Sequence, residues 1–212
     1  ISSHNSNVYA AIKMTEKGEG KNGSTAAAII NGGTIEGYYY GIVGNGNRHN
    51  TEITINAGTI AGFLANENTA IYHPQNGVLT INGGTIIGAN GIYAKAGTVA
   101  IYGGHIIANG AYAEPTPNGN GMNNTGDGVV LDTKTGYVGQ MTLIVSGGSI
   151  ESANGYAVRE TVTQGSDSST LEFDIRAGEF TGSAAAIEVS EKFETAIANG
   201  RVIGGVSGGT FS

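Results

Sequence analysis

The sequence has no cysteine and no tryptophan, only three prolines, and few charged residues for its length. Without cysteine there is neither a disulfide framework nor a thiolate metal site, so stability must come from burial and hydrogen bonding. Charged residues make up 13% of the 212 residues, and the net charge is −7. The ten Lys and Arg form no basic run. That balance argues against nucleic acid or an anionic membrane as a main partner. No run of ~20 apolar residues occurs, so no membrane insertion is expected. The scarcity of proline and the lack of a three-residue glycine period exclude collagen. Low charge with regularly placed apolar residues speaks against a disordered chain. No secretory leader is visible, and the first residue is Ile1. The expectation is a single domain over residues 1–212 that is a fragment of a longer protein.

What is abundant is glycine. It accounts for 37 residues, more than twice the usual ~7%, and much of it falls in one repeated motif. The motif is an apolar residue, one residue, a Gly-Gly or Ala-Gly pair, a small or polar residue, then Ile or Phe. It reads Ile30-Asn-Gly-Gly-Thr-Ile35, Ile55-Asn-Ala-Gly-Thr-Ile60, Ile81-Asn-Gly-Gly-Thr-Ile86 and Ile101-Tyr-Gly-Gly-His-Ile106. It returns as Val145-Ser-Gly-Gly-Ser-Ile150, Ile175-Arg-Ala-Gly-Glu-Phe180 and Val206-Ser-Gly-Gly-Thr-Phe211. Repetition at such a period signals stacked supersecondary units.

Short runs before the motif alternate apolar and polar residues, as in Ile53-Thr-Ile55, Leu79-Thr-Ile81 and Phe173-Asp-Ile175. Period two is a strand signal. Each strand runs into a glycine that permits positive φ and a sharp corner. A third apolar position follows in each repeat: Ile42, Ile71, Ile92, Val129, Tyr156 or Val158, and Ile187. Three strands and three corners make one coil. The expected fold is therefore all-β: a right-handed single-stranded parallel β-helix, a solenoid of about seven coils. Stacking places Ile30 to Val206 in one core column and Ile35 to Phe211 in another. Asn31, Asn56 and Asn82 should form an amide ladder. Two segments depart from the repeat. Residues 108–127 are rich in Pro, Gly and Asn and read as a long loop. Residues 190–199 read as a short helix capped by Ser190 and stopped by Gly200.

With Ala70–Val99 and Val206–Ser212 as its clearest segments, the chain resembles right-handed parallel β-helix repeats of bacterial secreted and cell-surface, adhesin-like proteins. It is similar also to phage tail-associated β-helices. The resemblance implies an extracellular location, at a cell or virion surface, and an adhesive, spacer or glycan-contacting role.

Glycoside hydrolysis on such a fold needs facing carboxylates about 5–9.5 Å apart. Glu151, Glu179 and Asp174 come nearest on the repeat, and a solvated charged face accounts for them. Arg159 and Arg176, the candidate bases of a lyase, have no acidic cluster at metal-ligand spacing. No catalytic residue, metal or cofactor is assigned. A threonine array of the ice-binding kind is broken by His105 and Glu179. Outward tyrosines are the strongest hint of binding, because a ring can stack on a sugar and its hydroxyl can bond to it. Tyr72, Tyr93, Tyr102 and Tyr112, with His105, are the candidate partner-binding residues; the competing reading packs the tyrosines under a loop. The expected function is a non-catalytic extracellular structural or adhesive module that contacts a polysaccharide or a host or cell-surface protein. The alternative is a polysaccharide-active domain, hydrolase- or lyase-like, or a phage tailspike.

Overall fold

A computed structural model describes residues 1–5, 9–14, 26–44, 50–117, 121–133, 140–163, 170–189 and 202–212. Among these there are strands and no helix. The first six strands are β1 (Ser2–Ser3), β2 (Ala10–Lys13), β3 (Ala26–Gly37), β4 (Tyr40–Val43), β5 (Thr51–Gly62) and β6 (Ile71–His73). Next come β7 (Gly77–Ile81), β8 (Thr85–Gly88), β9 (Ile92–Ala94), β10 (Gly97–Ile101), β11 (His105–Ala108) and β12 (Val129–Asp132). The last are β13 (Gln140–Ser152), β14 (Tyr156–Thr161), β15 (Thr170–Gly182), β16 (Ala185–Glu188), β17 (Val202–Val206) and β18 (Thr210–Phe211).

Every pairing is parallel, and the pairing corrects the expected architecture. Strand β5 pairs with β7 through its first half and with β8 through its second. Strand β13 does the same with β10 and β11. Since β7 pairs with β10 and β8 with β11, six strands close into a parallel barrel, β5-β7-β10-β13-β11-β8. A separate seven-stranded parallel sheet runs β16-β14-β12-β9-β6-β4-β2. A single-stranded right-handed β-helix solenoid of about seven coils is not what forms. The reason lies at the glycine pair. The sequence reading broke the chain there into two strands. In β3, β5, β13 and β15 one strand instead runs on across the glycines, which have no register partner themselves, with register shifts beside Asn31 and Ser146. The two halves then belong to one hydrogen-bonded surface, and the surface closes. The predicted helix at 190–199 lies outside the described residues.

The core columns do line up. Ile30, Ile55, Ile81, Ile101, Val145, Ile175 and Val206 are successive register partners. So are Ile35, Ile60, Ile86, Ile106, Ile150, Phe180 and Phe211. The third column runs Ile42, Ile71, Ile92, Val129, Val158 and Ile187. The middle members are fully buried and form one apolar cluster. Each such side chain contributes roughly 1.5–3 kcal/mol when taken from water. The second glycine of each motif has positive φ, from +80° at Gly33 to +117° at Gly178 and Gly209. The amide ladder also forms: Asn56 Nδ2 donates to Asn31 Oδ1 at 2.7 Å, and Asn82 Nδ2 to Asn56 Oδ1 at 2.8 Å.

Strands β4, β6, β9 and β12 are buried at every position. One face of their sheet meets the core. The other carries a second cluster of Tyr40, Val43, Tyr72, Tyr93 and Val130, against which Met122 of the β11–β12 connection packs. That connection holds the predicted loop at 108–127 apart from Ala108, which ends β11, and has no strand among its described residues. It is pinned by Asn90, whose Oδ1 accepts from the backbone N–H groups of Thr125, Gly126 and Asp127 at 3.0–3.2 Å. Asn90 Nδ2 donates to Asn123 O at 2.6 Å.

Candidate functional site

Strand β14 sends Arg159 outward, in register with Val130 of β12 and Glu188 of β16. On the β12 side the neighbours in this column are Val130 and Tyr93, so a guanidinium there needs partners. The loop and the adjacent strands supply them. Arg159 NH2 donates to Glu114 Oε2 at 2.6 Å, and its Nε lies 2.6 Å from Glu188 Oε2. Asp127 Oδ2 is 3.6 Å from NH1. The guanidinium carbon lies 5.6 Å from the centre of the Tyr112 ring and 4.9 Å from that of Tyr156, within cation–π range. Three carboxylates thus converge on one arginine, and Tyr112, Glu114 and Asp127 all belong to the loop.

The charges perturb one another. Burial alone would weaken the hold of Arg159 on its proton, but the three carboxylates outweigh it and raise its pKa. Burial raises the pKa of Asp127 despite bonds from Thr125 and the Tyr156 amide and the field of Arg159. Burial also raises Glu188, again against the pull of Arg159. Glu114, at the surface, goes the other way: the Tyr112 hydroxyl donates to its Oε1 and lowers its pKa. That same bond pushes Tyr112 up to about 12.

The residues singled out in the sequence lie in three separate places. Tyr72 and Tyr93 are 4% and 0% exposed. They lie edge to face under the loop, where Tyr72 OH donates to Gly121 O at 3.2 Å and Tyr93 OH to Asp132 Oδ2 at 3.0 Å. They offer no surface for a sugar. Tyr112 is 41% exposed and borders the Arg159 cluster. Tyr102, 51% exposed, and His105 sit at the glycine corner, where His105 Nδ1 meets Ser149 Oγ at 2.9 Å. The sequence offered Arg159 only as a candidate lyase base, and did not join it to Glu114, Asp127, Tyr156 and Glu188. The available signal was a pair of opposite charges, Arg159 and Glu188, at the end of the outward column that begins with Tyr72, Tyr93 and Val130. Among the described residues no group of three or more His, Asp or Glu is suited to hold a metal ion. No helix is long and apolar enough to cross a membrane.

Set against protein-family models, curated proteins and solved structures, the chain matches none of them significantly. The resemblance to bacterial surface repeats therefore stands on its motifs alone.

Proposed function

We propose that the chain is a non-catalytic extracellular structural or adhesive module that meets a polysaccharide or a cell-surface protein through the surface around Tyr112. The observation that carries this reading is the way the polar groups are used. General acid–base work requires a carboxyl free to reach a substrate proton. Here Glu114, Glu188 and Asp127 are all tied to Arg159, and the tie fastens the loop to the sheet. What remains open is an exposed ring and an exposed carboxylate edge, suited to stacking and hydrogen bonding. A glycan array with the purified chain tests this. The expected result is binding to a subset of glycans that Tyr112→Ala weakens at least about tenfold, roughly 1.4 kcal/mol, and that Tyr72→Phe leaves unchanged. Absence of binding to any glycan turns the reading toward a protein partner or a spacer.

One observation favours a second, polysaccharide-active reading. Glu188 and Glu114 flank the same arginine with pKa values pushed in opposite directions, the arrangement by which an acid and a base are set apart. Release of reducing ends from a polysaccharide, abolished by Glu188→Gln, would establish it.

A further inference from the structure

Lys95 follows β9 and Asp132 ends β12, on neighbouring strands of the seven-stranded sheet. The register pairs Tyr93 with Val130 and Ala94 with Leu131. Lys95 and Asp132 are the next pair along, on the outward face by alternation. Lys95 Nζ lies 3.3 Å from Asp132 Oδ2, and both side chains are 0% exposed. The ammonium also sits 5.8 Å from the centre of the Tyr93 ring. A pair so far from water carries the desolvation of two charges.

The carboxyl group is held at both oxygens. Thr163 donates to Oδ1 from its backbone N–H at 3.1 Å, and its hydroxyl lies 2.8 Å from both Oδ1 and Oδ2. Tyr93 OH donates to Oδ2 at 3.0 Å. Oδ1 therefore has the fixed Thr163 amide N–H to stabilise negative charge, as in an oxyanion hole, with the Thr163 hydroxyl shared between the two oxygens. Oδ2 faces both the amine and a phenol. Burial keeps that phenol protonated, well above its ordinary pKa.

We propose that Lys95 and Asp132 become joined by an intramolecular amide bond, a covalent clamp between β9 and β12 in a chain that has no cysteine. Nζ passes a proton to Oδ2 and then attacks Cγ, forming the N–C bond while Oδ1 takes the negative charge. The nitrogen gives up a second proton to Oδ2, the Cγ–Oδ2 bond breaks, and that oxygen leaves as water. One ammonium and one carboxylate yield one amide and one water, and no other reactant takes part. A dry site favours the step because the product carries no charge and the water is excluded.

Intact-mass measurement of the folded chain tests the proposal. The expected mass is one water below that of the sequence, and proteolysis should yield one branched peptide joining Lys95 to Asp132. Lys95→Arg and Asp132→Ala should each return the full sequence mass. Tyr93→Phe should slow the bond and give a mixture of the two masses. Full sequence mass in the folded wild-type chain overturns the proposal. So does a lost water that peptide mapping assigns to an imide at Asp127-Gly128.

Discussion

Gly104 stands in the column of second glycines, with φ of +86°. A Cβ there would lie 2.8 Å from Gly84 O, closer than real contacts allow, and a side chain would also strain the backbone. Gly104→Ala is expected to cost roughly 1–3 kcal/mol, read as a lower denaturation midpoint in urea. His73 makes a second case at this scale. It is fully buried within the first half of the stack, and desolvation lowers its pKa to about 4. The unfolded chain takes up a proton near pH 6.5 and the folded one does not. Its contribution is therefore intact above about pH 6.5 and is lost as pH falls towards 4. The gap corresponds to about 3 kcal/mol at most. Urea titrations at several pH values should show a wild-type slope in this window that His73→Leu flattens; an equal slope in both would remove His73 as its source.

At the scale of the element, the connection from β11 to β12 matters most. It covers the tyrosine cluster and brings Tyr112, Glu114 and Asp127 to Arg159. Asn90 holds one end by four acceptor bonds to Oδ1, including one from the Thr125 hydroxyl at 3.1 Å. Removal of this amide leaves buried N–H groups unpaired, each worth about 1–3 kcal/mol. Asn90→Ala is expected to destabilise the protein by at least about 2 kcal/mol and to open the loop to protease before the strands. Cleavage that begins elsewhere, with the loop still protected, would show that Asn90 is not its anchor. The sequence marked this stretch as a loop through its Pro, Gly and Asn content. It did not mark what the loop covers, because Tyr72 and Tyr93 look the same in sequence whether solvent or Met122 lies over them.

For the whole molecule, each repeat covers its neighbours, so burial rises from the ends to the middle. Ile86 is 0% exposed, whereas its column partner Phe211 is 41% exposed and Val206, in the adjoining column, 55%. Ile86→Ala should cost about 2–5 kcal/mol through its lost contacts and cavity. Phe211→Ala should cost about 1 kcal/mol or less. Comparable losses at both sites, measured by urea unfolding, would contradict a stack whose neighbours carry its stability. The expected solenoid failed at this same scale. Strand existence, the three columns and the asparagine ladder follow from local periodicity and from the identity of repeated residues. Barrel closure follows from whether one strand continues across a glycine pair and so pairs on both sides of it, which backbone geometry settles and composition does not.

By itself, then, the sequence determined a disulfide-free, all-β chain built on a recurring motif, because period-two alternation and a recurring Gly corner leave few other ways to bury so many isoleucines. It also placed Ile30, Ile55 and Ile81 in one column and Asn31, Asn56 and Asn82 in another. Only the tertiary structure decided that β5 and β13 close a barrel, that Tyr72 and Tyr93 are covered while Tyr112 is open, and that Arg159 gathers Glu114, Asp127 and Glu188. These partners lie between 29 and 45 residues from Arg159 in the chain. Contacts at that separation depend on how strands stack and where a loop folds back, which no local pattern encodes.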